Sequence, residues 1–207
     1  MELLTERRRN PFSPWALEDK TPDLKGNKKI LNAGCSKNFS VGTHFIDLYP
    51  QRKDVLRCDL DKDIMPYEDE FFDVVYAKCI FEHLTNQRHF LSECKRVLKK
   101  GGKIILITDN ACFIGFWGSW LYKGKGFLHR YEGICGQDDR HYALYTLAHL
   151  EHWAKKFDLE IEHLDYEPPA FLDPQILYKT IIKKTIFFFL PKHLKSIRIK
   201  MIAKKRG

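Results

Sequence analysis

Apolar residues come in short bursts, separated by polar turns, along the first half of the chain. Ile30 and Leu31 stand before a bare turn, Ala33-Gly34-Cys35-Ser36. The runs "THFIDLYP" and "DVLRCDL" predict a second strand, closed by Pro50, and a short third. "FFDVVYAKC" is strongly β-prone, and its Val74-Val75-Tyr76 suits a strand centre buried on both faces. The period then changes. Phe90, Leu91, Cys94, Val97 and Leu98 recur at helical spacing, and Gly101-Gly102 is predicted to end that helix. "KIILIT" is a fifth strand. Strand, connection and strand in this rhythm predict an α/β fold with a mainly parallel sheet.

The second half is less regular. Residues 111–145 are rich in Phe, Trp, Tyr and Gly and read as an insertion covering a pocket. Thr146 is placed to cap a helix with Leu147, Leu150, Trp153, Ala154 and Phe157 on one stripe. "DLEIEHLDY" is a sixth strand. "SIRIKMIAKK" alternates Ile197, Ile199, Met201 and Ala203 against charges, which predicts a last, partly exposed strand. Residues 1–27 are polar with three prolines and form an N-terminal arm. One domain over 28–207 follows, divided into a ligand-binding core (28–110), the insertion (111–145) and a basic amphipathic segment (174–196).

Composition adds three points. A chain of 207 residues suits one domain with a sizeable core. Its six cysteines, at 35, 58, 79, 94, 112 and 135, contain no C-x-x-C pair, so no zinc or redox motif is suggested and no metal is expected. Scattered thiols of this kind fit a reducing cytosol, and the N-terminus lacks the apolar run of a signal peptide. The net charge of +8 is local: ten basic residues and no acidic ones follow Asp173. Within that tail, "ILYKTIIKKTIFFFLP" is too short and too charged to span a bilayer. It suits a lid helix, or a helix lying on an anionic membrane or holding a lipid-linked acceptor. No recognition motif accompanies the basic residues, which argues against nucleic acid.

In open α/β sheets ligands bind at the carboxyl ends of strands, and a small turn after the first strand lets them approach the backbone. Gly34 tolerates positive φ and leaves room there. Asp47 ends the second strand, where a carboxylate can accept both hydroxyls of a ribose. Asp59 follows the third strand, within reach of an adenine amino group. Glu82-His83 lies just beyond the fourth.

From Lys28 to about Asn110 the sequence resembles the class I S-adenosylmethionine-dependent methyltransferases, closest to the small "type 11" group. "LNAGCSKN" is similar to the family's first motif, "IDLYP" to its ribose-binding acidic position, and "CDLDKDIMPYEDEFFDVVYAKCIFEHL" to its adenine-side and fourth-strand region. "ECKRVLKKGGKIILIT" is similar to the helix, double-glycine turn and fifth strand. "RHYALYTLAHLEHWAKKFDLEIE" resembles the later helix and sixth strand more loosely. The resemblance implies a Rossmann-like sheet with flanking helices and S-adenosyl-L-methionine held by Ala33, Gly34, Cys35, Asp47, Leu48, Asp59, Leu60, Ala77 and Lys78.

Two departures stand out. Ser36 replaces a second glycine, and Asn32 stands where many members are acidic. Only residues 35–42 separate the first motif from "THFIDLYP", too few for a helical crossover, so the first helix shrinks to a loop or single turn. The implied chemistry is methyl transfer to a small-molecule, glycan or lipid-linked acceptor, with an oxygen acceptor needing a base. His83 is the first candidate, because the family's fourth strand ends on the methyl side. His141 is the second, and Glu82 and Asp109 are further candidates. A cofactor-binding protein without turnover is the rival reading. A nicotinamide oxidoreductase is disfavoured by the lack of G-x-G-x-x-G.

Overall fold

The structure is a computed structural model and describes residues 24, 26–114, 141–168 and 189–207. Most of the N-terminal arm, most of the aromatic insertion and residues 176–188 of the basic segment lie outside the described residues. Seven strands form one sheet: β1 (Ile30–Ala33), β2 (His44–Asp47), β3 (Val55–Arg57), β4 (Phe72–Lys78), β5 (Leu98–Asp109), β6 (Leu159–Tyr166) and β7 (Arg198–Lys205). Their order is β3-β2-β1-β4-β5-β7-β6. The first five are parallel, and β7 runs antiparallel to both β5 and β6. The parallel strands therefore bring Ala33, Asp47, Arg57, Lys78 and Asp109 to one edge. The strand order reverses between β1 and β4, which opens a crevice there.

The pattern of burial follows the pattern of sequence. All four residues of β1 are buried, as are Phe72 and Val74 to Ala77 of β4. Helix α1 (Gln87–Val97) is capped by the Asn86 side chain and turns Phe90, Leu91, Cys94 and Val97 to the sheet. Helix α2 (Leu147–Lys156) starts at Thr146, whose hydroxyl and the His149 ring form a reciprocal cap. Both helices pack over the face carrying Leu31, Ile46, Val75, Ile104 and Met201. A smaller cluster of Ile30, Val41, Val74, Tyr76, Ile105 and Ile107 occupies the other face.

One expectation changes. Helix α1 ends at Val97, not at Gly101-Gly102: Leu98 is already extended and pairs with Phe72. The glycines instead make an irregularity inside β5, where Gly101 has φ +75° and the register shifts between Phe72 and Val74. Strand β7 alternates as expected, with Ile199, Met201 and Ala203 fully buried and Lys200, Ile202, Lys204 and Lys205 half-buried, and it is inserted between β5 and β6. The short first crossover is a run of turns and bends with no helix, as its length predicts.

The segment before β4 is fastened to α1. Arg96 donates to the carbonyls of Met65 (2.9 Å) and Tyr67 (2.8 Å) and to Asp69 (2.8 Å). Glu93 holds Arg96 in place at 2.7 and 2.9 Å and accepts the Met65 N–H at 2.8 Å. The acidic-aromatic turn "PYEDEF" thereby owes its course to one ion pair on a helix.

Candidate active site

The bare turn is tight for a visible reason. Gly34 has φ +70°, and a side chain there meets Ile80: a Cβ would lie 2.5 Å from Ile80 Cγ1. Ile80, just past β4, thus closes over the turn at the strand-order reversal. The Gly34 N–H donates to the Ile46 carbonyl at 2.9 Å. Ser36 sits at φ +46°, the left-handed region where the family motif has glycine. Its N–H donates to Asp47 Oδ2 at 2.7 Å, and the Tyr49 N–H donates to Asp47 Oδ1 at 2.9 Å. Each oxygen still has a lone pair to offer a ligand hydroxyl.

Asn32, the second departure, has a structural task the sequence did not disclose. It is buried, and its Nδ2 donates to the carbonyls of Asn38 (3.0 Å) and Val41 (2.9 Å). The helixless crossover presents carbonyls, so the residue beneath it must be a donor. An acidic residue cannot serve there.

The remaining cofactor candidates divide. Asp59 reaches the same edge, but its carboxylate accepts the Asp61 N–H and pairs with Lys62 at 3.0 Å. Lys62 is largely exposed and can swing away. Burial alone would raise the Asp59 pKa, yet the Lys62 partner and the Asp61 N–H hold it below the usual value. Leu48 and Lys78 are half-buried at the edge, whereas Leu60, Cys35 and Ala77 are buried. Burial pushes the Cys35 thiol up to about 11, so it stays a neutral packing group.

On the other side of the reversal, the proposed catalytic residues converge. A short 3₁₀ turn, Phe81–His83, follows β4 and presents Glu82 inward with no exposed surface. The N–H groups of Tyr142 (2.8 Å) and Ala143 (3.3 Å) bind the Glu82 carbonyl, which docks the returning chain and brings in His141. The rings of His83 and His141 meet edge to face, 4.3 Å between centroids. His141 Nδ1 lies 3.5 Å from Asp109 Oδ2 at the end of β5. His141 and Asp109 are buried, and His83 is half-buried. Burial and the neighbouring His83 depress the His141 pKa to about 3. His141 is therefore a neutral imidazole at physiological pH and a weak base, which leaves His83 ahead of it.

Three neighbours escaped the sequence reading. Thr108 donates to Glu82 Oε2 at 2.7 Å. Arg198, on β7, is buried, and burial would lower its pKa, but the adjacent Cys79, Asp109 and Glu82 hold it above the usual value. Cys79, at φ +54°, completes the group. Thr108 lies 26 positions from Glu82, and Arg198 is farther still. Only the pairing of β5 with β7 reveals the contact, although a lone arginine within an alternating strand is a usable hint.

Residues 41–106 match the family described as "Methyltransferase domain". That match begins after the Gly34 turn, at the crossover where this chain departs from the common pattern. The chain is similar to a sterol 4-C-methyltransferase of Caenorhabditis elegans, 30% identical over 139 residues, covering 66% of this chain and 34% of that protein. It is similar in structure to an S-adenosylmethionine-dependent methyltransferase from Archaeoglobus fulgidus, at 15% identity and TM-score 0.58, covering 89% of each chain. It is similar also to phosphoethanolamine N-methyltransferase 2 of Haemonchus contortus in complex with S-adenosyl-L-methionine, at 17% identity and TM-score 0.54, covering 89% of this chain and 50% of that one. Identities this low speak to the fold alone. The chain spans about a third of the length of the curated relatives it matches.

Proposed function

We propose that this chain, which belongs to the class I S-adenosylmethionine-dependent methyltransferases, transfers a methyl group from S-adenosyl-L-methionine to a hydroxyl of a small-molecule, glycan or lipid-linked acceptor. The observation that carries the reading is the division of one sheet edge at the reversal of strand order. Gly34 and Asp47 stand on the β1–β2 side, and Glu82, His83, His141 and Asp109 on the β4–β5 side. The residues present fit the cofactor: the turn has no side chain at Gly34, and Asp47 keeps lone pairs for a ribose. When bound, the cofactor supplies a methyl group already activated on a sulfonium. The protein is left to align the acceptor and to manage its proton. The wall of Glu82, His83 and His141 does so, with half-buried His83 as the member that reaches the acceptor.

The name of the sterol methyltransferase supports an apolar, ring-bearing acceptor here. The aromatic residues of 111–145 suit such an acceptor too. Calorimetric titration of the purified chain with S-adenosyl-L-methionine and with NAD is the first test: heat is expected from the former alone. Incubation with candidate acceptors and labelled cofactor should then yield S-adenosylhomocysteine. Cofactor binding without product from any acceptor would favour the binding-protein reading, and binding of NAD alone would overturn the proposal.

A further inference from the structure

We infer that Glu82, His83 and His141 form a binding site for one divalent transition-metal ion, zinc or a similar borderline cation, beside the acceptor. One ligand atom from each lies within 4.8 Å of the others, and Glu82 and His141 are buried. Two imidazoles and a carboxylate are the donor set of open metal sites, which keep a coordination position for a reacting group. Ligand atoms held ~2.1 Å from a tetrahedral ion lie ~3.4 Å apart, so closure needs up to about one and a half ångströms of side-chain movement. His83 ends a three-residue turn and is the half-buried member of the three.

The surroundings support the same assignment. Asp109 Oδ2 lies 3.5 Å from His141 Nδ1, where a small shift would let it accept that N–H and leave Nε2 for the ion. Thr108 fixes one Glu82 oxygen at 2.7 Å, and the N–H groups of Tyr142 and Ala143 fix its carbonyl. Arg198 is the competing cation. It is buried within electrostatic reach of Asp109, Glu82 and Cys79.

Use of the ion in catalysis rests on the methyltransferase reading; its binding does not. An acceptor hydroxyl entering the open position would have its pKa lowered by the metal. Its proton leaves to solvent. The oxygen lone pair forms the bond to the methyl carbon as the carbon–sulfur bond breaks, its electron pair going to sulfur. The products are a methyl ether, S-adenosylhomocysteine and one proton. In this scheme His83 acts on the acceptor's proton through the ion it holds.

The test uses the full chain stripped with chelator and titrated with zinc, with cobalt(II) as an optical probe. One equivalent per chain is expected, with the visible absorption of a cobalt centre bearing nitrogen ligands. His83→Gln, at a half-buried position, should keep the native circular dichroism and weaken zinc binding at least tenfold. Asp109→Asn should weaken it ten- to a hundredfold. Absence of stoichiometric zinc binding to the folded wild type, or unchanged affinity in folded His83→Gln, overturns the site. Cofactor titration in chelator is read separately, so loss of the metal site and loss of the methyltransferase reading give different results.

Discussion

Asn32 and Asp47 are both small polar residues at strand ends, yet they answer to different demands. Asn32 is fixed by the crossover above it: two carbonyls, at 3.0 and 2.9 Å, require a donor in a buried position. Asn32→Asp keeps the size and removes the donor, placing an acceptor against two acceptors. It should cost about 2–3 kcal/mol of stability, the range for a buried group deprived of its partners. Denaturant melts should show this at neutral pH, and a mutant as stable as the wild type would show that the loop does not depend on the amide. Asp47 is fixed by its loop and, in the function proposed above, by a ligand as well. Its two oxygens hold the Ser36 and Tyr49 N–H groups and have lone pairs left over. Asp47→Ala should weaken S-adenosyl-L-methionine binding by about 1.5–3 kcal/mol, as for lost charge-assisted hydrogen bonds. Unchanged affinity in a folded mutant would remove the ribose assignment. In the sequence both residues look like departures from or matches to a motif. Only the carbonyls beneath the crossover say which departure is compensated.

Elements were legible where one period ran undisturbed. The alternation in β7, the stripe of α2 with its Thr146 cap, and the continuous apolar run of β4 all reappear in the sheet and helices. What the pattern lacked was neighbourhood. The alternation over residues 198–205 predicts a partly exposed strand, but does not say that β5 and β6 flank it on both sides. Met201 is fully buried, so Met201→Ala should cost about 2–5 kcal/mol, whereas Leu56→Ala on the true edge strand β3, 43% exposed, should cost about 1 kcal/mol or less. Comparable losses in chemical denaturation would contradict the interior placement. The α1 clamp was likewise hidden, since Glu93 and Arg96 read as ordinary helix-surface charges. The hydrogen bonds from Arg96, with the Met65 N–H, depress the Glu93 pKa against the effect of burial. A lowered carboxyl pKa contributes stability above the unfolded value, near 4.5, and loses it as pH falls through the folded value. Glu93→Gln should therefore cost about 1–3 kcal/mol at pH 7. Its deficit relative to wild type should shrink as pH drops below 4.5; a deficit independent of pH would assign the loss to packing.

At the scale of the whole molecule, the excess of positive charge has two fates. In the sequence it is one basic tail. In the fold, much of that tail is a sheet strand with acidic neighbours. Lys192 pairs with Asp165, Lys205 with Glu70 at 3.4 Å, Arg206 with Asp158 at 3.1 Å, and Lys200 lies 3.9 Å from Glu167. Arg198 is buried beside Asp109 and Glu82. These charges serve the domain itself. Lys179, Lys183 and Lys184 stand beside Phe187-Phe188-Phe189 in the sequence, outside the described residues except for Phe189, which is 77% exposed. No helix among the described residues is long and apolar enough to cross a membrane. Surface attachment asks for less: apolar side chains that leave water, and lysines worth about 1 kcal/mol each near an anionic leaflet. We propose weak, reversible binding to anionic vesicles, lost as salt shortens the Debye length. Changing Lys179, Lys183 and Lys184 together to Gln should abolish co-sedimentation at low salt, while Lys200→Gln or Lys205→Gln should leave it nearly intact. Failure of the wild-type chain to sediment with anionic vesicles at low salt would remove the membrane from the account. Equal effects of both sets of substitutions would mean that net charge, rather than a located segment, draws the protein to the surface.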